Sequence, residues 1–210
     1  MSNSLHLLVL HQVKSLFNPD IRSSSLKLDT FNYALDRVKV CLARLKSRPP
    51  NGFDHFNSNH YAMFLYYLSN AIWKRDGDAE LATQLFYLNK ALNGVELFYE
   101  IELPDYFLIS HSVGLVFAQA TYGNFCVFHQ GCTVGRNNHD RPVLGDDVVM
   151  FPGSSVIGKC IIGKNTTLSP GVQLINMDTP ENSFVFLGKD GKPLLKNSDE
   201  IVSRRFFYDD

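Results

Sequence analysis

The sequence predicts an α+β protein in which a helical N-terminal domain precedes a short parallel β-helix. Two observations carry this prediction: apolar residues recur at helical spacing through the first 94 residues, and a strict six-residue repeat dominates the C-terminal half. We therefore divide the chain into a helical domain (1–94), a β-helical domain (95–175) interrupted by a loop at 135–142, and a C-terminal tail (176–210).

The six-residue repeat is made of bulky apolar residues, each followed four positions later by a smaller one. The bulky set is Val116, Tyr122, Phe128 and Val134, then Leu144, Met150, Val156, Ile162, Leu168 and Leu174. The smaller set is Ala120, Cys126 and Cys132, then Val148, Ser154, Cys160, Thr166 and Val172. Neither a helix nor a single strand has a period of six residues, whereas three such repeats make one coil of a β-helix with three flat faces. The bulky side chains should fill its interior.

The helical domain is predicted from apolar stripes between capping and breaking residues. Asp29 or Thr30 is expected to cap the first helix, Ser58 the second and Asp78 the third. Breaks are expected at 48–52, where Arg-Pro-Pro-Asn-Gly occurs, and at Gly77 and Gly94. The apolar stripes are Phe31, Leu35, Val38, Leu42 and Leu45; Tyr61, Leu65, Leu68 and Ile72; and Leu81, Leu85, Leu88 and Leu92.

Composition narrows the functional class. The formal net charge is -1, with 20 basic and 21 acidic side chains and no block of like charge, so nucleic acid is not an expected partner. Three of the four cysteines fall on inward positions of the repeat, which favours small apolar packing over a disulfide framework and fits a reducing, cytoplasmic setting. The apolar run at 5–10 is too short for a membrane span.

One interruption of the repeat is a candidate functional feature. Val134 and Leu144 are ten residues apart, so four extra residues are inserted, within the segment 135–142 that contains His139, Asp140 and Arg141. Insertions in a repeat array form loops on one face, which is often the binding face. A harmless surface loop is the alternative. The C-terminal segment 204–208 could dock on another subunit or be frayed.

Residues 55–175 resemble the serine acetyltransferase branch of the hexapeptide-repeat acyltransferases, and are also similar to the sugar O-acetyltransferases of bacterial surface polysaccharide synthesis. The segments that carry the resemblance are 95–114, which ends in Ser-His-Ser-Val-Gly, then Gly131-Cys132-Thr133-Val134-Gly135, Asp140-Arg141-Pro142, and the corners Phe151-Pro152-Gly153-Ser154 and Ser169-Pro170-Gly171-Val172. The resemblance implies that the β-helix is left-handed. It also implies a homotrimer, or a dimer of trimers, with the active site completed by a neighbouring subunit.

By this resemblance His111 is the catalytic base, a role that suits imidazole because its pKa lies near neutral pH. The family's orienting carboxylate corresponds to Glu96, with Glu100 and Glu102 as alternatives. Ser110, His139 and Arg141 fall at acceptor-binding positions. His129 should point outward and be either structural or part of a subunit contact.

Acetyl-CoA is the implied donor, and no metal is expected. Pro152, Gly153 and Ser154 lie one coil below Pro170 and Gly171, so these small residues should let the pantetheine arm approach the main chain. Candidate cations for the CoA phosphates are Lys159, Lys164, Lys189, Lys192 and Lys196.

The acceptor is where the sequence departs from the family. Ser110 replaces the aspartate that helps to hold the serine amine, and a hydroxyl cannot replace a charge-assisted bond. The sequence therefore favours a sugar hydroxyl, with L-serine as the alternative. Some hexapeptide β-helices are zinc carbonic anhydrases, which bind zinc with three histidines from neighbouring subunits, two of them five residues apart on one chain. This function is disfavoured here because His129 and His139 are ten residues apart. A non-catalytic scaffold would leave the His111 motif unexplained.

Overall fold

The computed structural model describes residues 2–17, 20, 25–47 and 52–208 of the chain. Four α-helices come first: α1 (Ser2–Leu16), α2 (Leu28–Ala43), α3 (Ser58–Ala71) and α4 (Ala79–Asn93), with a π-helical turn (Ile72–Asp76) ending α3. A β-helix follows. Apart from Gly52, the break predicted at 48–52 lies outside the described residues. None of the helices in the described ranges is long and apolar enough to cross a membrane.

The helix ends agree with the predicted caps only in part. Asp78 accepts a hydrogen bond from the backbone of Leu81, and Gly94 ends α4 in the left-handed conformation, as expected. The cap of α3 is Asn57 rather than Ser58, because the Asn57 side chain accepts from two amides of the first turn. The prediction of Asp29 or Thr30 as the cap of α2 was also wrong, since α2 begins at Leu28.

The β-helix has three faces, each a stack of parallel strands. Face 1 consists of β1 (Val95–Leu97), β3 (Leu115–Phe117), β6 (Thr133–Gly135), β9 (Ser155–Ile157) and β12 (Gln173–Ile175). Face 2 consists of β4 (Thr121–Tyr122), β7 (Val143–Leu144) and β10 (Ile161–Ile162). Face 3 consists of β2 (Phe107–Ser110), β5 (Cys126–His129), β8 (Val149–Met150), β11 (Thr167–Leu168) and β13 (Ser183–Leu187), with the antiparallel β14 (Pro193–Asn197) at its edge. The chain visits the faces in the order 1, 2, 3.

The interior is a stack of the predicted bulky residues, with one exception. Val116 is 36% exposed, and its neighbour Phe117, which is 4% exposed, pairs in register with Val134 and points inward instead. The prediction for Val116 was wrong because the step from Phe117 to Tyr122 has five residues rather than six. Strand β1 pairs with β3 ahead of the repeat, and β13 pairs with β11 after it, so the strands of the β-helix extend from Val95 to Leu187.

The helical domain is joined to the first coil by buried polar contacts and by the end of the chain. The Tyr66 hydroxyl donates to the Ile101 carbonyl at 2.7 Å and accepts from the Leu103 amide at 3.0 Å. The C-terminal segment folds back on its own chain, where the Phe206 carbonyl accepts from the Lys46 amide and the Tyr208 amide donates to the Arg44 carbonyl. This segment is therefore neither frayed nor free within the described residues.

Candidate functional site

The candidate site lies along the first corner, where each coil turns from face 3 to face 1. Gly114, Gly131, Gly153 and Gly171 stack there on successive coils, all with a positive φ. A Cβ built on Gly114 would lie 3.5 Å from the Cα of Gly131, and one built on Gly131 would lie 3.6 Å from the Cα of Gly153. On Gly153 and Gly171 it would meet nothing within 4 Å, so the main chain there is open to solvent. The corner is narrow because these residues carry no side chain.

His111 stands at the first coil of this corner, exposed and in the left-handed conformation with φ of 58°. A non-glycine residue in this region costs about 1–2 kcal/mol. The surroundings hold the conformation: the His111 amide donates to the side-chain carbonyl of Asn59, in the first turn of α3, at 3.0 Å. The helical domain thus fixes the main chain that carries this imidazole.

Two further contacts tie the His111 turn to the end of α4. The buried Ser112 hydroxyl donates to the Asn93 carbonyl at 2.7 Å, and the Gly114 amide donates to the Gly94 carbonyl at 2.9 Å. The Asn93 side chain in turn donates to Asn89, whose own amide donates to the Ala62 carbonyl of α3. The turn is therefore held between α3 and α4. Its residues are too far apart in sequence for any local pattern to have predicted this.

His129 lies one coil beyond Ser110, with which it pairs in register. Its ring stacks on Phe151 at 5.1 Å and meets the edge of Phe206 from the C-terminal segment at 5.6 Å. Burial lowers the pKa of His129, and the nearby His111 lowers it further. His129 Nε2 is buried and has no hydrogen-bond partner among the described residues, so this histidine is half-buried and packed rather than simply outward-facing.

The carboxylate expected to orient His111 is engaged elsewhere. Glu96 points outward from β1, and its Oε2 accepts from Lys90 Nζ at 2.7 Å, with both side chains about half exposed. Of the two alternatives, Glu102 is paired with Lys74 at 2.6 Å, and Glu100 lines a cleft at another corner. In this structure none of the three carboxylates forms a hydrogen bond to His111.

The inserted loop leaves the β-helix at the second corner, between faces 1 and 2. It is a tight hairpin in which Asn137 and Asp140 exchange backbone hydrogen bonds, and His139 lies exposed at its tip. Arg141, at its base, lines a cleft of about 300 Å³ together with Glu100. Because His111 is at the first corner, a single chain does not bring His139 and Arg141 together with it.

The residues expected to bind the donor lie on the same corner as His111. Backbone hydrogen bonds join Gly153 to Gln130 and Gly171 to Pro152, so the corner runs continuously from the His111 turn to the fourth coil. Ser154 differs from its neighbours because its side chain is fully buried inside the prism and its hydroxyl lies 3.5 Å from Cys132 Sγ. It is therefore poorly placed to contact a bound molecule directly.

The cysteines do not provide a nucleophile at this corner. All four are free and buried, and burial raises the pKa of the Cys41 thiol to about 11 and that of Cys126 to about 12. Thiols in such surroundings are inert because the thiolate is the reactive form. Across the described ranges, no group of three or more His, Cys, Asp or Glu side chains could hold a metal ion.

In sequence the chain is similar to serine acetyltransferases, and no protein-family model matches it. The serine acetyltransferase of Synechococcus elongatus is 29% identical over 118 residues, which cover 54% of this chain and 48% of that protein. That of Bacillus licheniformis is 24% identical over 149 residues, 69% of this chain and 68% of that protein. The chain thus spans about half the length of the first relative and about two thirds of the second.

Solved structures agree with these similarities. The serine acetyltransferase of Neisseria gonorrhoeae superposes with a TM-score of 0.72 over 95% of this chain and 82% of that one, at 19% identity. The chain resembles serine acetyltransferases in sequence and in fold. The complex of the Neisseria gonorrhoeae enzyme with serine superposes on this chain with a TM-score of 0.68 at 22% identity, over 90% of this chain and 82% of that one. These similarities confirm the predicted fold, a helical N-terminal domain followed by a left-handed β-helix, and the predicted likeness to the serine acetyltransferases.

Proposed function

We propose that this protein is an acetyl-CoA-dependent O-acetyltransferase in which His111 deprotonates the acceptor hydroxyl. The observation that carries the proposal is the placement of His111: it is exposed, its main chain is clamped by Asn59, and it stands at the head of the open glycine corner. The sequence relatives named as serine acetyltransferases support the same reaction class.

The reaction is a direct transfer. The acceptor oxygen forms a bond to the thioester carbonyl carbon while His111 accepts the hydroxyl proton, and the carbon–sulfur bond then breaks. The departing thiolate takes the proton from the imidazolium. The raised thiol pKa values of the buried cysteines support a pathway without an acyl-enzyme on sulfur.

The donor would lie along the first corner, beside the outward main chain at Pro152, Gly153, Pro170 and Gly171. Open space next to Gly153 and Gly171 fits the close approach of an extended pantetheine arm. His139 and Arg141 would reach a site of this kind only from a second copy of the chain. The proposal therefore includes a homo-oligomer, with a trimer as its smallest form, in which one subunit's loop meets the next subunit's His111.

The comparisons favour L-serine as the acceptor, since the relatives are named serine acetyltransferases and two of the similar structures contain serine. One observation favours the sugar acceptor expected from the sequence: Ser110 places a neutral hydroxyl where the family has a carboxylate.

The test is release of CoA thiol from acetyl-CoA, with L-serine and a panel of free and nucleotide-linked sugars as acceptors. His111→Ala should lower kcat by about 10²- to 10⁴-fold, the usual contribution of a general base. His11→Ala, which removes an exposed imidazole from α1, is the matched control and should leave kcat unchanged. Unaltered turnover in His111→Ala would overturn the assignment of the base, and absence of turnover with every acceptor would overturn the reaction class.

A further inference from the structure

The terminal hairpin, which consists of β13, β14 and the turn at 188–192, extends past the end of the β-helix. Strand β13 pairs with β11 only at Phe184 and Val185, whereas its pairing with β14 continues to Leu187. The turn is closed by a hydrogen bond from the Gly188 amide to the Lys192 carbonyl at 2.8 Å. Because β13 continues straight where the chain after β11 bends into the first corner, the distal half of the hairpin has no prism beneath it.

Apolar side chains lie on both faces of this overhanging part. Phe186 is opposite Leu194 in the antiparallel register, and both point away from the prism. Leu187 and Leu195 point to the other face, which they share with the buried Val185. The three leucines are 44%, 46% and 38% exposed at positions 187, 194 and 195. Only Val185 is needed to cover the last coil, so closure of the β-helix does not account for the exposed leucines.

The terminal hairpin also carries positive charge, although the chain as a whole is slightly acidic. Three lysines and one aspartate give the segment 183–197 a net charge of +2, against -1 for the whole chain. All three lysines are exposed, and no ion pair involves Lys189 or Lys196 among the described residues. Lys192 Nζ lies 4.0 Å from the Asp190 carboxylate, and at such exposure a pair of this kind contributes little. The lysines therefore leave a cationic surface beside the exposed leucines.

The position of the hairpin makes this surface accessible at one end of the molecule. Strand β14 is the outermost strand of face 3, and β2 is at the opposite edge of the same sheet, where Phe107 packs on Tyr66 of α3 at 6.1 Å. The helical domain thus covers the other end. The outer edge of β14 has no partner strand in the described sheet, so its backbone amides can donate to an acceptor outside the chain.

From this arrangement we infer that the terminal hairpin docks the protein on an anionic membrane surface, with β14 lying along the lipid headgroups. Lysines near such a surface are attracted to acidic lipids, and the leucines and Phe186 can enter the boundary between headgroups and acyl chains. An unpaired strand edge is excluded from hydrocarbon, but at headgroup depth lipid phosphates can accept from its amides. A protein that packed on one face of the hairpin would leave the leucine of the other face in water, whereas a lipid surface contacts both. The inference does not depend on the proposed function.

The test is co-sedimentation of the full chain with vesicles of phosphatidylglycerol and phosphatidylcholine, compared with vesicles of phosphatidylcholine alone. The chain should bind only the anionic vesicles, and added salt should weaken the binding because it screens charges. Lys189→Gln combined with Lys192→Gln should lower the partition coefficient about 25-fold, since each lysine near an anionic surface contributes a factor of about five. Leu194→Thr combined with Leu195→Thr should lower it about tenfold, because less apolar surface leaves water on binding.

Matched controls place the same changes on the helical domain. Lys14→Gln combined with Lys39→Gln removes the same charge from exposed positions of α1 and α2, and Val40→Thr alters an apolar residue of α2 that is 55% exposed. Both controls should bind the anionic vesicles as the wild type does. Unfolding in urea should be the same for all variants, because every substituted side chain is exposed.

Several results would overturn the inference. These are absence of binding to the anionic vesicles, equal binding by the wild type and the hairpin variants, and equal losses in the control variants. Loss of binding in the lysine variant but not in the leucine variant would show electrostatic adsorption without docking. A leucine variant that changes the oligomeric state without lipid would make the hairpin a subunit contact, and weaker acetyl-CoA binding by the lysine variant with unchanged vesicle binding would assign these lysines to the donor phosphates. Failure of CoA release, measured without vesicles, would refute the proposed function alone.

Discussion

Asn59 is expected to act as a positioning residue for His111, because it holds the main chain of that residue and not its imidazole. Its side-chain carbonyl accepts from the His111 amide at 3.0 Å across 52 residues of sequence. Replacement of Asn59 by alanine removes this bond. Because the bond is exposed, water can satisfy the released amide, so the loss should be near the ordinary net value of about 1 kcal/mol rather than that of a buried unpaired group.

The loss of this hydrogen bond matters because His111 has a strained backbone conformation. At φ of 58° the residue is strained by about 1–2 kcal/mol, so a clamp worth about 1 kcal/mol offsets much of the cost. Without it the turn should spend less time in the active geometry. We expect kcat of Asn59→Ala to fall about fivefold, since 1 kcal/mol corresponds to that factor at 25 °C, while KM for acetyl-CoA stays the same.

The assay is steady-state CoA release with denaturant unfolding measured in parallel. Asn59→Asp keeps an acceptor at the same position and should restore most of kcat, whereas Ser58→Ala, an exposed change in the same helical turn, should have no effect. Wild-type kcat in Asn59→Ala would refute the reasoning. So would a fall in kcat that Asn59→Asp does not reverse, or one that follows loss of folded protein.

Two further predictions concern stability. Tyr66→Phe removes the bond to the Ile101 carbonyl and leaves the buried Leu103 amide unpaired, so the free energy of unfolding should fall by about 1–3 kcal/mol, measured in urea. His129 has a pKa lowered by burial, so the unfolded chain binds more protons and wild-type stability should decline as the pH falls below about 6.5. His129→Phe, which keeps the stacking on Phe151, should lose less stability between pH 7.5 and 5.5 in the same assay.

Each of these stability predictions has a control and a result that would contradict it. For Tyr66, the control is Tyr33→Phe on the exposed face of α2, which should be neutral; equal losses in the two variants would contradict the hydrogen-bond argument. For His129, an identical pH dependence of the free energy of unfolding in the wild type and the variant would show that another group causes the loss of stability at low pH. His60 is the next candidate, because burial lowers its pKa as well.

The interior of the β-helix follows from local sequence because each coil repeats the same constraint. A bulky residue every six positions can be buried only if the chain turns after each short strand, and nine of the ten predicted residues are buried. Val116 breaks the pattern because the step from Phe117 to Tyr122 is five residues long. Strand pairing aligns Phe117, rather than Val116, with the buried Val134, and the six-residue period alone does not specify this register. Helix caps are similarly ambiguous when polar residues are adjacent, as with Asn57 and Ser58.

What the sequence by itself determined is the periodic part of the protein: the two-part architecture, the inward positions of the repeat and the stacking of Gly153 and Gly171 on one corner. Tertiary structure alone decided which side chains meet. It placed Asn59 against the His111 amide, paired Glu96 with Lys90, put Glu100 into the cleft of Arg141, and separated that cleft from His111 by a face of the prism. The reason is that a repeat fixes which residues point inward, whereas the contacts of outward side chains depend on the helices, loops and corners that surround them.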